Sequence, residues 1–150
     1  HVISAPMLKK TALEIIPTGY MLIDGGNSTS ASYMSNTSPI PYGKNDIAVC
    51  TAMAGEMLGL KLIYLDTGSG ALKHVSANMI KEVKKNIDIP LIAGGGIKSP
   101  EDAYNLCTAG ADMLVIGTVA EQSPELISEI ASAVHQSSTY IANIKTESEK

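Results

Sequence analysis

The 150-residue chain is predicted to fold as an α/β domain in which four parallel strands are flanked by helices. Short apolar runs alternate with segments whose apolar residues have helical spacing, which is the pattern of repeated strand–helix units. The apolar residues of the third run, over residues 89–93, are contiguous, which predicts a strand that is buried on both faces. Such a chain forms either an open doubly wound sheet or half of a (β/α)8 TIM barrel, since a complete barrel takes about 250 residues.

The first half of the chain carries a strand, a long polar loop and a helix. Residues 14–23 are rich in β-branched and large apolar side chains, which favour a strand. Residues 24–44 are dense in Gly, Asn, Ser, Thr and Pro, which favour a functional or mobile loop. Residues 46–58 have apolar side chains at helical spacing, and Asn45 or Asp46 is the predicted helix cap.

The second half of the chain carries three further strand–helix units. Ser99 is a good helix cap, and Pro100 suits the first helical position that follows it. The three helices of this half are predicted over residues 76–86, 99–110 and 124–135, and the strands over 61–65, 89–93 and 113–116.

Composition and charge exclude several classes of function. A net charge of -4 with scattered lysines provides no basic patch for nucleic acid or a membrane surface. No apolar run reaches the roughly 18 residues of a transmembrane helix. Cys50 and Cys107 lack metal-ligand spacing and are interpreted as buried free thiols of a protein in the reducing cytoplasm. His1, His74 and His135 lie far apart and are interpreted as surface or helix-packing residues.

Glycine clusters follow the last three predicted strands, at the carboxyl ends where parallel α/β folds bind ligands. They lie within Tyr64–Gly70, Gly94–Gly96 and Gly117–Thr118. Bare backbone lets amides approach an anion, and a helix that starts just afterwards adds partial positive charge. We therefore predict a phosphate site without a basic side chain, in which the hydroxyls of Ser69 and Thr118 add hydrogen bonds. The alternative is that the glycines simply close strand-to-helix turns.

Acidic side chains lie at the same predicted edge of the sheet. Asp66 ends the second strand and shares a face with Tyr64, while Leu65 points to the opposite face, because side chains alternate along a strand. The carboxylate of Asp66 can accept a hydrogen bond or a proton from a substrate hydroxyl. Alternatively, it is a turn aspartate that caps its own loop. Asp24 follows the first strand and is also predicted to face this edge.

Three segments in order, YLDTGSGA, LIAGGGIKSPEDA and ADMLVIGTVAE, resemble the geranylgeranylglyceryl phosphate synthase family, whose bacterial relatives are the heptaprenylglyceryl phosphate synthases. LEIIPTGYMLIDGG and SPIPYGKNDIAVCTAMAGEMLGLKLIYLD upstream also resemble this family. The resemblance implies the C-terminal half of a TIM barrel in a prenyltransferase. That enzyme joins sn-glycerol 1-phosphate to geranylgeranyl diphosphate or another polyprenyl diphosphate, which makes the first ether bond of archaeal-type membrane lipids. The residues implied for glycerol phosphate binding are Tyr64, Leu65, Asp66, Thr67, Gly68, Ser69, Gly70, Gly94, Gly95, Gly96, Gly117 and Thr118.

The resemblance also implies a catalytic role for Asp66 and a requirement for Mg2+, which holds the diphosphate leaving group. Most family members have glutamate at the position of Asp66, so the shorter side chain displaces the carboxylate by about 1 Å, which matters for positioned catalysis. The family's metal-binding aspartate lies on its first strand, whereas this chain resembles the fifth to eighth strand–helix units. We therefore expect a partial barrel over residues 1–136, a frayed polar tail over 137–150, and no metal ligands in this segment. Its expected partners are the missing N-terminal half of the barrel and further copies in a homo-oligomer.

Two other functions stay open from the sequence. One is a different phosphate-binding barrel, such as a sugar-phosphate isomerase or aldolase. Such an enzyme needs a catalytic lysine or a second carboxylate at a strand end, and no lysine is found there. The other is a non-catalytic half-barrel that binds a phosphorylated ligand.

Overall fold

The computed structural model of the protein describes the backbone of residues 3–148 and the side chains of residues 3–139. Its four strands form one parallel sheet in the order β1-β2-β3-β4. This arrangement confirms the predicted α/β fold. Sequential order is that of a barrel wall, because a doubly wound sheet reverses its strand order at a switch point. The strands are β1 Thr18–Leu22, β2 Leu62–Asp66, β3 Leu91–Gly94 and β4 Met113–Val115.

Seven helices flank or connect these strands within the described residues. The long helix that follows β1, the helix after β2 and the helix after β3 correspond to the predicted ones. Three short helices are not among the predicted ones: one before β1, one within the polar loop after β1 and one directly after β4. The helices are α1 Ala5–Leu8, α2 Ser30–Ser35, α3 Asn45–Met57, α4 Ala77–Lys84, α5 Pro100–Ala109, α6 Thr118–Gln122 and α7 Leu126–Ser148.

Local hydrogen bonds explain where most helices begin and end. The hydroxyl of Ser76 accepts from the Met79 amide, and the hydroxyl of Ser99 accepts from the Asp102 amide, so both predicted caps are confirmed. The prediction that Asn45 or Asp46 caps α3 is wrong. The Lys44 amide donates to the Pro41 carbonyl, and this turn brings the chain into the helix earlier than predicted.

Three other predictions about the elements need correction. The first strand begins at Thr18 and not at residue 14, because Pro17 has no amide proton for the ladder and Leu13 to Ile16 contribute exposed apolar side chains. Helix α2 lies inside the predicted loop, where Thr29 and Ser32 form a capping box. Helix α7 continues past residue 136, and Ser137 is fully buried, so the predicted fraying there is wrong over the described residues.

The core lies between the helices and one face of the sheet. The opposite face is only half covered in the described residues: Tyr64 and Ile92 are half-buried, while Tyr20, Met113 and Val115 are exposed. The predicted burial of the third strand on both faces is therefore wrong for the face that carries Ile92. Buried side chains of the core include Ile63, Leu65, Met79, Ile80, Leu91 and Leu106.

The cysteines and the helices complete the comparison with the sequence. Cys107 is a buried free thiol, as predicted, whereas Cys50 is free but exposed on α3, so its predicted burial is wrong. Within residues 3–148 no helix combines the length and the apolar character needed to cross a bilayer. The cytoplasmic location stays a prediction.

Candidate functional site

A cavity of about 380 Å³ lies at the carboxyl edge of the sheet. The register places Leu22 beside Asp66, Asp66 beside Gly94, and Gly94 beside Val115, so neighbouring strands end together. Loops that follow β2, β3 and β4 therefore surround one space, as the sequence predicted. Its lining residues are Tyr64, Asp66, Ser69, Gly70, Ala71, Leu72, Gly95, Gly96, Ile97, Lys98, Val115, Ile116, Gly117, Thr118, Val119 and Gln122.

Most of the predicted site residues line this cavity, but four do not. The Leu65 side chain is fully buried in the core on the other face of β2. Thr67 is also buried, and its hydroxyl donates to the Gly94 carbonyl at 3.4 Å. Gly68 and Gly94 are also not lining residues of the cavity. These four positions support the loops of the site, and the side chains of Leu65 and Thr67 do not reach the cavity.

The turn after β3 needs glycine for packing. Gly95 and Gly96 have φ values of +78° and +65°, which L-residues rarely adopt. A Cβ on Gly95 would lie 2.7 Å from the Gly68 amide nitrogen, and one on Gly96 would lie 2.6 Å from the His74 amide nitrogen. These two glycines therefore let the loop after β2 pass directly against the turn after β3.

Gly117, in the loop after β4, has no such requirement. Its φ of -124° lies outside the left-handed region that favours glycine, and no atom lies within 4 Å of the position that its Cβ would take. The open space at this glycine belongs to the cavity. Bare backbone at Gly117 thus leaves room for a ligand rather than for another part of the fold.

Several backbone amides at the cavity have no internal acceptor. Within the described residues, the amides of Gly95, Gly96, Gly117 and Thr118 donate to no carbonyl or side chain. Since unpaired amides are strong donors, they can bind an anion.

The start of α5 is different. Asp102 Oδ2 accepts from the amides of Lys98 and Ser99, at 2.9 Å and 3.0 Å. The Asp102 amide itself donates to the Ser99 hydroxyl. The amides of Lys98, Ser99 and Asp102 thus have internal acceptors, and the partial positive charge expected from this helix start stays a prediction.

Asp66 has partners on both carboxylate oxygens. Oδ1 accepts from the Gly68 amide at 2.8 Å, and Oδ2 accepts from the Tyr20 hydroxyl at 2.6 Å. Asp66 thus caps its own turn, which is the alternative that the sequence left open, and it also lines the cavity. A carboxylate has about four lone-pair positions, so two remain for a ligand. Asp24 likewise accepts from the Gly26 amide at 2.9 Å but does not line the cavity.

Two tyrosines accompany Asp66. The rings of Tyr20 and Tyr64 meet edge to face with centroids 5.4 Å apart. Burial, followed by the negative charge of Asp66, raises the pKa of Tyr64 to about 12. Burial and the hydrogen bond to Asp66 also raise the pKa of Tyr20. Both hydroxyls therefore stay protonated donors at neutral pH. Sequence reasoning missed Tyr20, although its place opposite Tyr64 follows once β1 and β2 are paired in register.

Lys98 is the other important residue that the sequence reasoning missed. It follows the Gly94–Gly96 turn and lines the cavity, so a basic side chain lies beside the predicted phosphate site, where the sequence reasoning placed none. Its position two residues after a glycine-rich turn at a strand end was the available signal. Ile97, Val115 and Val119 add apolar walls to the cavity.

The described residues do not fit a site for Mg2+. No three His, Cys, Asp or Glu side chains among them converge closely enough to hold a metal ion. His74 Nε2 lies 3.5 Å from Asp102 Oδ1, and its Nδ1 lies 2.7 Å from the Val75 carbonyl. His74 therefore packs between α5 and the loop before α4, and His1 lies outside the described residues.

Known proteins match most of this chain. The PcrB family matches residues 2–134. Geranylgeranylglyceryl phosphate synthase of Spirosoma linguale is 56% identical over 136 residues, which cover 91% of this chain and 55% of the relative. The enzyme of the same name from Methanosphaera stadtmanae is 40% identical over 136 residues, which cover 89% and 55%. The chain thus spans about half the length of the curated relatives it matches.

A solved structure matches the fold as well. (S)-3-O-geranylgeranylglyceryl phosphate synthase from Thermoplasma acidophilum, in complex with the substrate sn-glycerol-1-phosphate, superposes with a TM-score of 0.83 and 37% identity. The superposition covers 89% of this chain and 54% of that one. Four sequential parallel strands matching half of a longer chain support the half-barrel interpretation.

Proposed function

Because the chain belongs to the PcrB family, we propose that it forms the glycerol phosphate half of a prenyltransferase. The enzyme would join sn-glycerol 1-phosphate to geranylgeranyl diphosphate or another polyprenyl diphosphate. One observation carries the proposal: amides without internal acceptors surround a cavity whose open side is kept free by Gly117. The substrate held by the Thermoplasma acidophilum relative supports the same ligand class for this cavity.

Phosphate binding is assigned to the two turns that follow β3 and β4. The amides of Gly95 and Gly96 supply donors from one wall, and those of Gly117 and Thr118 supply donors from another. Ser69, which is exposed at the cavity, adds a hydroxyl from the loop after β2. Convergent neutral donors of this kind bind a phosphate without the cost of burying a charge.

Asp66 and Tyr64 then face the glycerol part of the ligand. A free lone pair on the Asp66 carboxylate accepts the hydrogen of the glycerol hydroxyl. As that oxygen bonds to the allylic carbon of the polyprenyl diphosphate, its proton passes to Asp66. The bond between the same carbon and the diphosphate oxygen breaks, and the diphosphate leaves with the electron pair. Tyr20 and the Gly68 amide hold the carboxylate in place during this step.

The remaining partners are also part of the proposal. The described residues do not fit Mg2+. The metal site would therefore belong to the part of the relatives that this chain does not match. Tyr20, Met113 and Val115 expose an apolar face of the sheet. We propose that this face packs against the missing half of the barrel or against a second copy in a homo-oligomer. The proposed partial barrel comprises residues 1–136, and residues 137–150 form the segment that follows it.

Replacement of Asp66 tests the proposed chemistry. With Mg2+, sn-glycerol 1-phosphate and labelled geranylgeranyl diphosphate, the full-length protein should form the ether product. Asp66→Asn should lower kcat by about 10²- to 10⁴-fold, because the amide cannot take the proton. Asp66→Glu, which restores the usual family residue, should keep most of the activity.

Asp24→Asn is the matched control for this experiment. Asp24 caps its turn through the Gly26 amide just as Asp66 caps its own through the Gly68 amide, but it lies outside the cavity. Its substitution should leave kcat unchanged. Equal losses in both variants would reduce Asp66 to a turn residue. Tight binding of glycerol phosphate without any ether product would instead support the non-catalytic half-barrel.

A further inference from the structure

Lys98 is placed at the cavity wall by contacts on both sides of its side chain. Its backbone amide donates to Asp102 Oδ2 at 2.9 Å, which fixes the position from which the side chain extends. Its Nζ donates to the Leu72 carbonyl at 3.0 Å, across the gap between the loops after β3 and β2. Both Lys98 and Leu72 line the cavity. The Lys98 side chain is exposed to solvent, and its ammonium is held next to the cavity by this bond to the backbone of a lining residue.

The charge of this ammonium is not balanced by a carboxylate. The ion pairs among the described residues are those of His74, Lys84 and Lys85, so no acidic oxygen there lies within 4.0 Å of the Lys98 ammonium. One of its three hydrogens goes to Leu72, and two remain for another acceptor. Asp66 is the other charged side chain of the lining. The cavity therefore has a cationic and an anionic group on its wall.

We propose that the Lys98 ammonium binds the phosphate dianion of the phosphorylated substrate, while it keeps its hydrogen bond to Leu72. This inference rests on the proposed function and adds the charge that the neutral amides do not supply. Lys98 lies two residues after Gly96 and lines the same cavity as Gly95 and Gly96, so one ligand can contact its ammonium and their amides. Attraction between a cation and a dianion makes the affinity fall as salt is added.

Calorimetry on the full-length protein with sn-glycerol 1-phosphate and with inorganic phosphate tests the inference. Lys98→Met should weaken the binding of both ligands by about tenfold, which is the usual loss for a hydrogen bond to a charged group. The salt dependence of binding should also become weaker. Lys98→Arg, which keeps the charge, should bind within about threefold of the wild type.

Lys73→Met is the matched control, because it removes the same charge near the same loop. The Lys73 ammonium lies 4.5 Å from the centre of the Tyr42 ring, and the residue does not line the cavity. Lys73→Met should bind sn-glycerol 1-phosphate and inorganic phosphate with the affinity of the wild type. An unchanged Kd in Lys98→Met, or equal losses in both lysine variants, would overturn the inference.

The two ligands separate this inference from the proposed function. Wild-type binding of inorganic phosphate but not of sn-glycerol 1-phosphate, with a loss in Lys98→Met, would uphold Lys98 and overturn the proposed substrate. If the wild type binds sn-glycerol 1-phosphate and Lys98→Met binds it equally well, the proposed substrate is supported and the role of Lys98 is overturned. If the wild type binds neither ligand, both proposals fall.

Discussion

Two glycine turns of this molecule look alike in sequence, but one needs its glycines for the packing of the fold and the other does not. The turn after β3 packs Gly95 and Gly96 against the backbone of the loop after β2, and both have left-handed φ values. The turn after β4 places Gly117 in open space with an ordinary φ. The helix after the first turn has its early amides occupied by Ser99 and Asp102, whereas α6, after the second turn, has no side-chain cap.

The difference separates glycines that the fold needs from a glycine that a ligand needs. A left-handed, tightly packed glycine would be required even if the cavity never held a ligand. A glycine with ordinary φ and no neighbour gains nothing for the fold and costs backbone entropy. Gly117 is thus better evidence for a ligand site than the run of three glycines after β3, although that run is more conspicuous in the sequence.

Gly95→Val should have the largest effect, and the effect should be on folding. A β-branched residue at φ +78° is strained by about 1–2 kcal/mol, and the clash with the Gly68 backbone adds about 1–3 kcal/mol. The free energy of unfolding, measured by urea denaturation, should fall by about 2–5 kcal/mol.

Gly43→Val is the control for this measurement. Gly43 also lies in a loop, has no atom within 4 Å of its Cβ position and does not have a positive φ. We expect a change within about 0.5 kcal/mol. If Gly95→Val is as stable as Gly43→Val, the packing of the loop after β2 against the turn after β3 does not require glycine at position 95.

Gly117→Ala should have the opposite profile, with an intact fold and weaker binding. The added methyl group meets no protein atom but enters the cavity where the ligand is proposed to lie. The midpoint of thermal unfolding should change little, because the site has room for the methyl group and no left-handed φ. Calorimetry should show about tenfold weaker binding of sn-glycerol 1-phosphate, as expected for a displaced phosphate. Gly43→Ala should leave both quantities unchanged, and unaltered affinity in Gly117→Ala would argue against the proposed pocket.

Patterns of short range carried most of what the sequence could predict. Contiguous apolar runs and the Ser76 and Ser99 caps gave the order of strands and helices, because each depends on residues near it in the chain. The alternation of Tyr64, Leu65 and Asp66 along β2 was correct for the same reason. The resemblance to a known family extended this to the half-barrel, which the strand order and the solved relative support.

Contacts between loops could not be predicted from such patterns. The packing of Gly95 on Gly68, and of the Lys98 ammonium on the Leu72 carbonyl, joins residues that lie 26 or more positions apart. The pairing of Tyr20 with Asp66 spans 46 positions. Nothing in the local sequence distinguishes a glycine that meets another backbone from one that meets solvent, so these roles emerged only from the coordinates.

Ser99→Ala should have the smallest effect, and it tests whether the start of α5 takes any part in binding. Its hydroxyl accepts from the Asp102 amide, and losing this cap should lower the free energy of unfolding by about 1 kcal/mol. Because Asp102 still holds the Lys98 and Ser99 amides, the affinity for sn-glycerol 1-phosphate should stay within twofold of the wild type. Ser76→Ala removes the equivalent cap of α4 and should cost about the same stability. A marked loss of affinity in Ser99→Ala but not in Ser76→Ala would place the phosphate at the α5 start, and the contrast between the two turns would then fail.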